Sequence, residues 1–501
     1  MLIRTATLLA LAAAAGPPVI AQAPRASQAL HCTPAERTDA QAVLQDAARA
    51  LGMATIQGRV LHFRMTEATL EDYQSDRTYP PFFLAFTTRE SWYQPTTGVA
   101  RHASGYAFPF SAFDLPVLLS GPKASFQVQD TATSPSPSAQ GGALILRALD
   151  PWAQLHDWIA SDAVTVLGRC VVRDYPRTVL ERTGPYGRER LVLDPKTALP
   201  VLLEREEPHY LWGQVQVAYV YSNWRLEGGF AYPGSSFRMV DGAAEVSRTV
   251  SSAELVAPGS TPPLVLPDTT VAMPPSVPGF LLPTPPDSVR VSAATRLLVN
   301  RGYTEAVMLA GDTLYLLDAT QGEARARADS ALIARLFPGP HPLVLVVTDL
   351  AWPHVAGLRY WVARGATVVS HRASRPFLER ILQRHWTRAP DLYERRRKEA
   401  RFVFKPVSDS LSLAGGRLRL YAIDGIGSEV ALLAYVEGDR FLWSSDYIQT
   451  VQQPSTYLIE VWRAARRAGI EPQRTAAQHL PLTAWAVVDS LARAEVPAGA
   501  S

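Results

Sequence analysis

The 501-residue sequence has only two cysteines, Cys32 and Cys170. Neither belongs to a CxxC pair, which argues against thiol redox chemistry and against a cysteine-based zinc site. An oxidising compartment would allow a disulfide between the two, and a pair of buried thiols is the alternative.

An excess of one charge is also lacking, because 49 basic and 46 acidic residues leave a net charge of +3. This balance gives no electrostatic argument for binding nucleic acid or acidic lipid. We expect no nucleic-acid partner, and leave a small ligand or a protein as the unknown partner. The sequence has no GxSxG nucleophile elbow and no GxxxxGK[ST] phosphate loop, so two common hydrolase classes have no motif here.

No apolar run approaches the 18 residues that a permanent membrane span needs. The short run Thr5–Ala15 follows Arg4 and precedes small residues around Ala21–Ala23. This pattern is typical of a secretory signal peptide, here residues 1–23, and an N-terminal core helix is the alternative. We therefore expect an exported protein, periplasmic or secreted, with no transmembrane segment after signal removal.

Proline is abundant, and ten of the 40 prolines lie between Pro258 and Pro286. Proline fixes φ and removes a backbone donor, so this segment is predicted to be an extended linker rather than a helix or a central strand. The linker, residues 257–289, separates predicted domains over residues 33–256 and 290–490, followed by a tail over 491–501. A second low-complexity segment, Thr131–Gly142, is predicted to be a loop of the first domain.

The first domain shows one helical pattern and then alternating strands. Ala35–Leu51 has helical spacing of apolar residues, and the strand-like segments are Arg188–Leu193, Leu199–Glu204 and Gln214–Tyr221. This pattern predicts a curved antiparallel β-sheet with a helix packed on it. A sheet that serves only for docking or stability is one interpretation of this domain.

Two segments of this domain, LVLDPKTALPVLLE from Leu191 and VAYVYSNWRLEGGFAYP from Val217, are followed by Met239–Gly242. Over about residues 55–255 the domain resembles the lipoprotein-carrier-like sheet domains of the periplasm. The resemblance implies a concave face that could hold an apolar ligand.

The second domain alternates strands and helices, which is typical of a layered α/β architecture. The predicted elements are a hairpin Glu305–Ala310 and Thr313–Asp318, a helix Arg325–Leu336, a strand Pro342–Val347, a helix Val355–Arg364, a strand Thr367–Val369, an arginine-rich helix Leu378–Lys398, strands Arg417–Ile423, Ala431–Val436 and Phe441–Trp443, a helix Tyr457–Ala468 and a strand Thr475–Gln478. Pro390 would break or kink the arginine-rich helix.

Several landmarks occur in a fixed order in this domain. LVLVVTD leads into the turn before His354, GATVVSH follows, and Gly427-Ser428 precedes LLAYVEGDRFLWSSD and finally Ala477-Gln478-His479. The order and spacing resemble the metallo-β-lactamase superfamily, which implies an αββα sandwich and a metal-dependent hydrolase site.

The resemblance also implies a binuclear zinc centre, in which each metal needs about three protein ligands and activates a water molecule. Three of the matching positions are Ala351, Pro353 and Gly427, which have no ligand atom in their side chains. The remaining candidate ligands are Asp349, His354, Asp446 and His479. We expect one metal position to be lost and the other to keep at most a single zinc or other divalent metal on His354, Asp446 and His479.

Each survivor also has a structural interpretation. Asp349 could cap the following helix, His354 could be a helix-start residue, Asp446 could bind backbone donors, and His479 could be a loop histidine. Three functions follow as hypotheses: a non-catalytic binding or scaffold protein, a divergent mononuclear metallohydrolase, and a periplasmic carrier of an apolar ligand.

Overall fold

The computed structural model describes residues 30–496, apart from 35–38, 72–82, 109–110, 122–124, 130–131, 136–145, 185–186, 210, 268–284 and 301. The predicted signal peptide, residues 1–23, and most of the proline-rich linker lie outside the described residues. Within the described part of the chain, no helix combines the length and the apolar character needed to cross a bilayer.

The described residues of the N-terminal half form one antiparallel sheet of fourteen strands. They are β1 Cys32–Thr33, β2 Val60–Glu71, β3 Phe83–Gln94, β4 Val99–Phe108, β5 Ser111–Ser120, β6 Ser125–Gln129, β7 Ala132–Pro135, β8 Thr165–Val172, β9 Tyr175–Gly184, β10 Gly187–Leu193, β11 Pro200–His209, β12 Gly213–Glu227, β13 Phe230–Val240 and β14 Ala243–Val256. Their order in the sheet is 1-8-9-10-11-12-13-14-2-3-4-5-6-7. Most neighbours are consecutive in sequence, so the sheet is largely a meander of hairpins.

One face of this sheet carries the domain core. In β12, Val215, Val217, Tyr219 and Tyr221 are buried and alternate with more exposed residues, as the period of two predicts. Helices α1 (Ala40–Ala50), α2 (Met53–Ile56) and α3 (Pro151–Ile159) contribute to the core cluster of that face. Asp39 caps α1 by accepting from the amides of residues 41 and 42.

The opposite face holds a small cluster around the disulfide Cys32–Cys170. The two cysteines are direct partners of β1 and β8. The bond resolves the alternative between a disulfide and two thiols, and it fixes the two-residue strand β1 to the sheet edge.

The C-terminal half contains two further sheets and seven helices within its described residues. The first sheet has β15 Asp287–Arg290, β16 Thr295–Asn300, β17 Tyr303–Ala310, β18 Thr313–Leu317, β19 Leu343–Val346, β20 Thr367–His371 and β21 Val403–Val407, in that order. The second has β22 Ser410–Leu413, β23 Leu418–Ala422, β24 Leu432–Val436, β25 Phe441–Trp443, β26 Arg474–Ala476 and β27 Thr483–Ala484. The helices are α4 Glu323–Leu336, α5 Trp352–Val355, α6 Leu358–Ala363, α7 Arg375–Gln383, α8 Leu392–Arg395, α9 Thr456–Arg467 and α10 Trp485–Glu495.

Side-chain alternation shows that these elements form four layers. Leu316 packs in the cluster that contains α4, α6 and α7, whereas its neighbour Leu317 packs between the two sheets. In the second sheet, Leu432 faces the first sheet and Leu433 faces α9 and α10. The order is helix, sheet, sheet, helix, which agrees with the layered α/β domain that the sequence pattern predicts and with the sandwich that the resemblance implies.

The two halves share one continuous apolar cluster. Trp212, in the β11–β12 turn, packs edge-on against Phe377 of α7 with ring centroids 5.4 Å apart. Arg384 donates to the carbonyls of Trp212 (2.7 Å) and Gln214 (3.1 Å) and to Asp241 (2.6 Å). This junction joins the helix layer of the sandwich to the N-terminal sheet.

The prediction of one helix over Leu378–Lys398 is wrong. Helix α7 ends at Gln383, seven residues before Pro390, and the chain then crosses to the N-terminal sheet before α8 begins. The backbone carbonyl of His385 accepts from the amide of Gln214, a contact that a continuing helix would not allow.

Other boundaries also differ. The segment predicted as a loop over Thr131–Gly142 contains β7, and the predicted linker contains a 3₁₀ turn at Pro258–Ser260, where proline suits the first helical position. Strand β15 begins inside the predicted linker, and α10 continues to Glu495, past the predicted domain end at residue 490.

Candidate functional site

The candidate site lies where strands of both sheets of the sandwich end. Asp318 follows β18, Asp349 follows β19, Asp446 follows β25 and His479 follows β26. The paired strands β18 and β19 run parallel, as do β25 and β26, so their carboxyl ends meet at one edge. His354 joins them from α5.

Asp318 is the most strongly bonded group of the site. It is fully buried and accepts hydrogen bonds from the amide (2.7 Å) and hydroxyl of Thr348 and from the indole of Trp443 (2.8 Å). Its φ of +72° is an uncommon backbone conformation for a residue other than glycine. The surrounding donors hold the carboxylate in place and offset the cost of burying it.

His354 is buried beside Asp318, with Nδ1 2.9 Å from Oδ2 and neither side chain exposed. Burial alone would lower the pKa of His354, but Asp318, Asp349 and Asp446 outweigh it and raise the pKa to about 9. Among the described residues, His354 Nε2 has no hydrogen-bond partner. The imidazole is therefore an internal cation surrounded by carboxylates.

His479 and Asp446 form the more open side of the site. The Nδ1–H of His479 donates to the carbonyl of Gly302 (2.9 Å), which leaves Nε2 facing Asp446 Oδ1 at 3.7 Å. Tyr303 packs edge-on against the His479 ring, with centroids 4.8 Å apart. Burial raises the pKa of Asp446 against the opposing effect of His479.

Asp349 is bonded inside the site and does not cap a helix. Its Oδ1 accepts from the amide of Leu350 (2.6 Å) and from the hydroxyl of Ser428 (3.1 Å). The N-cap of α5 is Ala351, which rules out the capping interpretation of Asp349. Burial raises the pKa of Asp349 to about 6.

Gly427 has no room for any side chain. A Cβ at this position would lie 2.5 Å from Cε1 of Tyr457 and 3.0 Å from the hydroxyl of Tyr447. The loop is held there by Glu460, which accepts from the amide of Ile426 at 2.7 Å. The space that a ligand histidine would need at this position is filled by two tyrosines.

The structure thus brings four predicted site residues, Asp349, His354, Asp446 and His479, to one edge. Only His479 and Asp446 pair with each other, because His354 pairs with Asp318 and Asp349 with Ser428. No group of three or more His, Cys, Asp or Glu residues in the described chain is arranged to hold a metal ion. Whether metal binds these residues stays a prediction.

Asp318 and the two tyrosines were missed as site residues. For Asp318 the sequence did contain a signal. Asp318 directly follows the apolar strand β18, and the parallel strand β19 ends just before the predicted turn that contains Asp349. Tyr447 and Tyr457 gave no such signal, because their contact with Gly427 depends on how α9, which carries Tyr457, packs on the turn that carries Tyr447.

The N-terminal sheet also has a concavity of about 560 Å³, whose lining mixes apolar side chains such as Leu115 and Val117 with polar ones. The polar residues include Arg64, Thr66, Thr88, Arg89, Glu90, Ser104, Asp114 and Ser251. The core face of the sheet also carries buried ion pairs, such as Arg238 with Glu207 at 2.9 Å. The mixed lining of the concavity does not decide for or against an apolar ligand, and the carrier function stays a prediction.

No protein-family model matches the sequence, and no curated protein matches it. Solved structures of metallo-β-lactamases match part of the chain. DIM-1 metallo-β-lactamase is 12% identical, with 42% of this chain and 99% of that chain covered and a TM-score of 0.34. The enzyme from Hirschia baltica is 14% identical, with 42% and 97% covered and a TM-score of 0.33. FIM-1 from Pseudomonas aeruginosa, in the mono-zinc form, is 11% identical, with 43% and 98% covered and a TM-score of 0.34.

Proposed function

We propose that the protein is exported, that its C-terminal sandwich is a metallo-β-lactamase-like domain without a binuclear metal centre, and that it works by binding rather than by hydrolysis. The observation that carries this proposal is the packing at Gly427. Tyr457 and Tyr447 occupy the space beside its Cα, so no ligand side chain can enter from this position.

The chemistry of the remaining groups supports the same conclusion. A binuclear centre needs about three protein ligands for each metal to generate hydroxide at neutral pH. The first metal position keeps only Asp349 and Asp446, and Asp349 Oδ1 already accepts two hydrogen bonds. Two carboxylates, one of them bonded to the protein, do not complete that position.

A single divalent metal on His354, Asp446 and His479 is the second candidate, and one observation favours it. Metal-binding histidines commonly donate their other ring N–H to a carbonyl or carboxylate. His479 does so to Gly302, and its Nε2 faces a buried carboxylate oxygen of Asp446 that has no hydrogen-bond partner among the described residues. A metal held there would supply Lewis-acid activation of water.

Metal analysis decides between the two candidates. The protein is purified without chelator, incubated with zinc, desalted and analysed by elemental mass spectrometry. We compare wild type, His479→Ala, the double variant His354→Ala/His479→Ala, and a control, His156→Ala, which lies on α3. The single variant is included because removing the buried His354 could unfold the domain.

The binding proposal expects well under one zinc per chain in all four proteins. One zinc per wild-type and control chain, lost in folded His479→Ala, would overturn it and establish the mononuclear centre. Hydrolysis of ester or lactam substrates by wild type, abolished in His479→Ala, would overturn it as well.

A further inference from the structure

The nearly neutral net charge hides a strong local excess of positive charge. Residues 359–405 contain thirteen basic and four acidic side chains, a net charge of +9 within a chain of net charge +3. The rest of the chain therefore carries a net charge of −6. The balance of charges holds for the whole chain only. Residues 359–405 have a strong local excess of positive charge, so an anionic partner is possible for this segment.

Six exposed basic side chains from three elements of the outer helix layer form what we call the basic face: Arg327, Arg364, Arg395, Arg396, Lys398 and Arg401. Contacts in the structure show that they lie together. Arg327 and Arg364 each stack near the Tyr360 ring, at 5.9 Å from its centroid. The same Arg327 shares the carboxylate of Glu323 with Arg395.

The other members follow from the turn after α8. The guanidinium of Arg396 donates to the carbonyl of Ala363, next to Arg364, at 3.1 Å. Arg401 donates to the carbonyl of Lys398 at 2.9 Å, which keeps both on the same turn. Within the described part of the chain, these six residues form ion pairs with Glu323 and Glu399, which leaves an excess of four positive charges among them.

We propose that the basic face binds a bilayer surface rich in anionic phospholipid. Clusters of four to eight basic residues bind such surfaces through the summed attraction of their charges, about 1 kcal/mol each. The face belongs to the outer helix layer of the sandwich, whereas the concavity of about 560 Å³ lies in the N-terminal sheet. Positive charges spread over the outside of a helix layer match a planar anionic partner, and the predicted export, which is part of the proposed function, would place the protein next to lipid.

The test is co-sedimentation of the full chain with vesicles of phosphatidylcholine, alone or with about one third phosphatidylglycerol. The patch variant is Arg364→Gln/Lys398→Gln/Arg401→Gln. The matched control, Arg225→Gln/Arg417→Gln/Arg493→Gln, removes three exposed arginines from β12, the turn before β23, and α10. Circular dichroism checks that both variants remain folded.

We expect wild type and control to bind anionic vesicles and not neutral ones. The patch variant loses about 100-fold in affinity, since each charge contributes about five-fold. Binding also weakens as salt rises from about 0.1 M to about 1 M, because the screening length falls from about 10 Å to about 3 Å.

Three results would overturn the proposal: no binding of wild type to anionic vesicles, equal losses in the patch variant and the control, or tighter binding to a DNA duplex than to vesicles at the same salt. The proposal does not depend on the metal content of the site at Asp446 and His479, so the two experiments fail separately.

Discussion

Single residues decide what the candidate site can do. Ala351 and Gly427 have no side-chain atom that could bind a metal. His354 forms a buried ion pair with Asp318, with Nδ1 2.9 Å from Oδ2. Asp318 and Ser445 both have positive φ, and both contact Thr348. The Thr348 hydroxyl lies within hydrogen-bond distance of the Asp318 carboxylate and of the Ser445 hydroxyl. Backbone strain of this kind persists only where the surroundings fix it, and here a hydrogen-bond network does so.

Gly427→Ala tests the packing on which the proposed function rests. The added Cβ would meet Tyr457 at 2.5 Å, so the ring or the loop must move. We expect a loss of about 1–3 kcal/mol in the free energy of unfolding, the usual cost of overpacking. The measurement is urea unfolding followed by tryptophan fluorescence.

Gly438→Ala is the matched control, because a Cβ at Gly438 meets no atom within 4 Å. We expect it to stay within about 0.5 kcal/mol of wild type. Equal stability of the two variants would show that the tyrosines yield easily and that the position can accept a side chain.

At the scale of elements, the apolar pattern was a reliable guide. Alternation predicted Gln214–Tyr221, which lies within β12, and a short apolar segment predicted Phe441–Trp443, which the structure confirms at the same bounds. The helix predicted over Leu378–Lys398 failed, because Arg384 leaves the helix to bond the N-terminal sheet. Local spacing predicts an element, but it does not predict a contact with a residue such as Trp212, about 170 positions away.

The same limit applies to the candidate site. The turn before His354 was recognisable from its place after the buried strand β19. The pairing of His354 with Asp318 was not, because it joins α5 to the end of β18 across 36 positions of sequence.

Strands β11, β12 and β13 carry a buried charge cluster that predicts acid sensitivity. Glu207 accepts hydrogen bonds from Arg238 (2.9 Å), Arg205 (2.7 Å) and Tyr219 (2.7 Å). Burial would raise the pKa of Glu207 above its ordinary value of 4.5, but Arg205 and Arg238 lower it to about 2. A lowered carboxyl pKa stabilises the fold above the ordinary value, and this contribution is lost as the pH falls toward about 2.

We therefore expect the free energy of unfolding of wild type to decrease between pH 4.5 and about 2, with roughly 3 kcal/mol coming from Glu207. Glu207→Gln should lack this part of the decrease and be less stable at neutral pH, since it removes the carboxylate that Arg205 and Arg238 share and leaves Arg238 with Glu245 alone. Urea unfolding at a series of pH values measures both effects.

The control is Glu471→Gln, at an exposed site, which should keep the wild-type dependence of stability on pH. The same dependence in Glu207→Gln as in wild type would contradict the assignment of the acid sensitivity to Glu207.

At the scale of the whole molecule, the arginine-rich stretch has two roles on two sides. Buried members hold the structure together, as when Arg359 binds Asp391 at 2.9 Å. Exposed members form the basic face. Composition alone could not separate these roles, because both use the same residue type within a few positions of each other.

Arg384 is the member that joins the two halves, and Arg384→Met tests whether they unfold as one unit. The substitution keeps an apolar stem but removes three hydrogen bonds, to two carbonyls of the β11–β12 turn and to the carboxylate of Asp241. Asp241 is partly exposed and keeps the amide of Gln216 as a donor, so the loss of the three bonds costs about 1–3 kcal/mol at the junction. We expect scanning calorimetry to show one transition for wild type and two for the variant, since the domains of a chain unfold separately once their interface is weak.

The control is Arg375→Met, which removes an exposed pair with Glu379 on the same helix and should behave as wild type. A single transition at the wild-type temperature in Arg384→Met would mean that the apolar contact of Trp212 with Phe377 suffices to couple the halves.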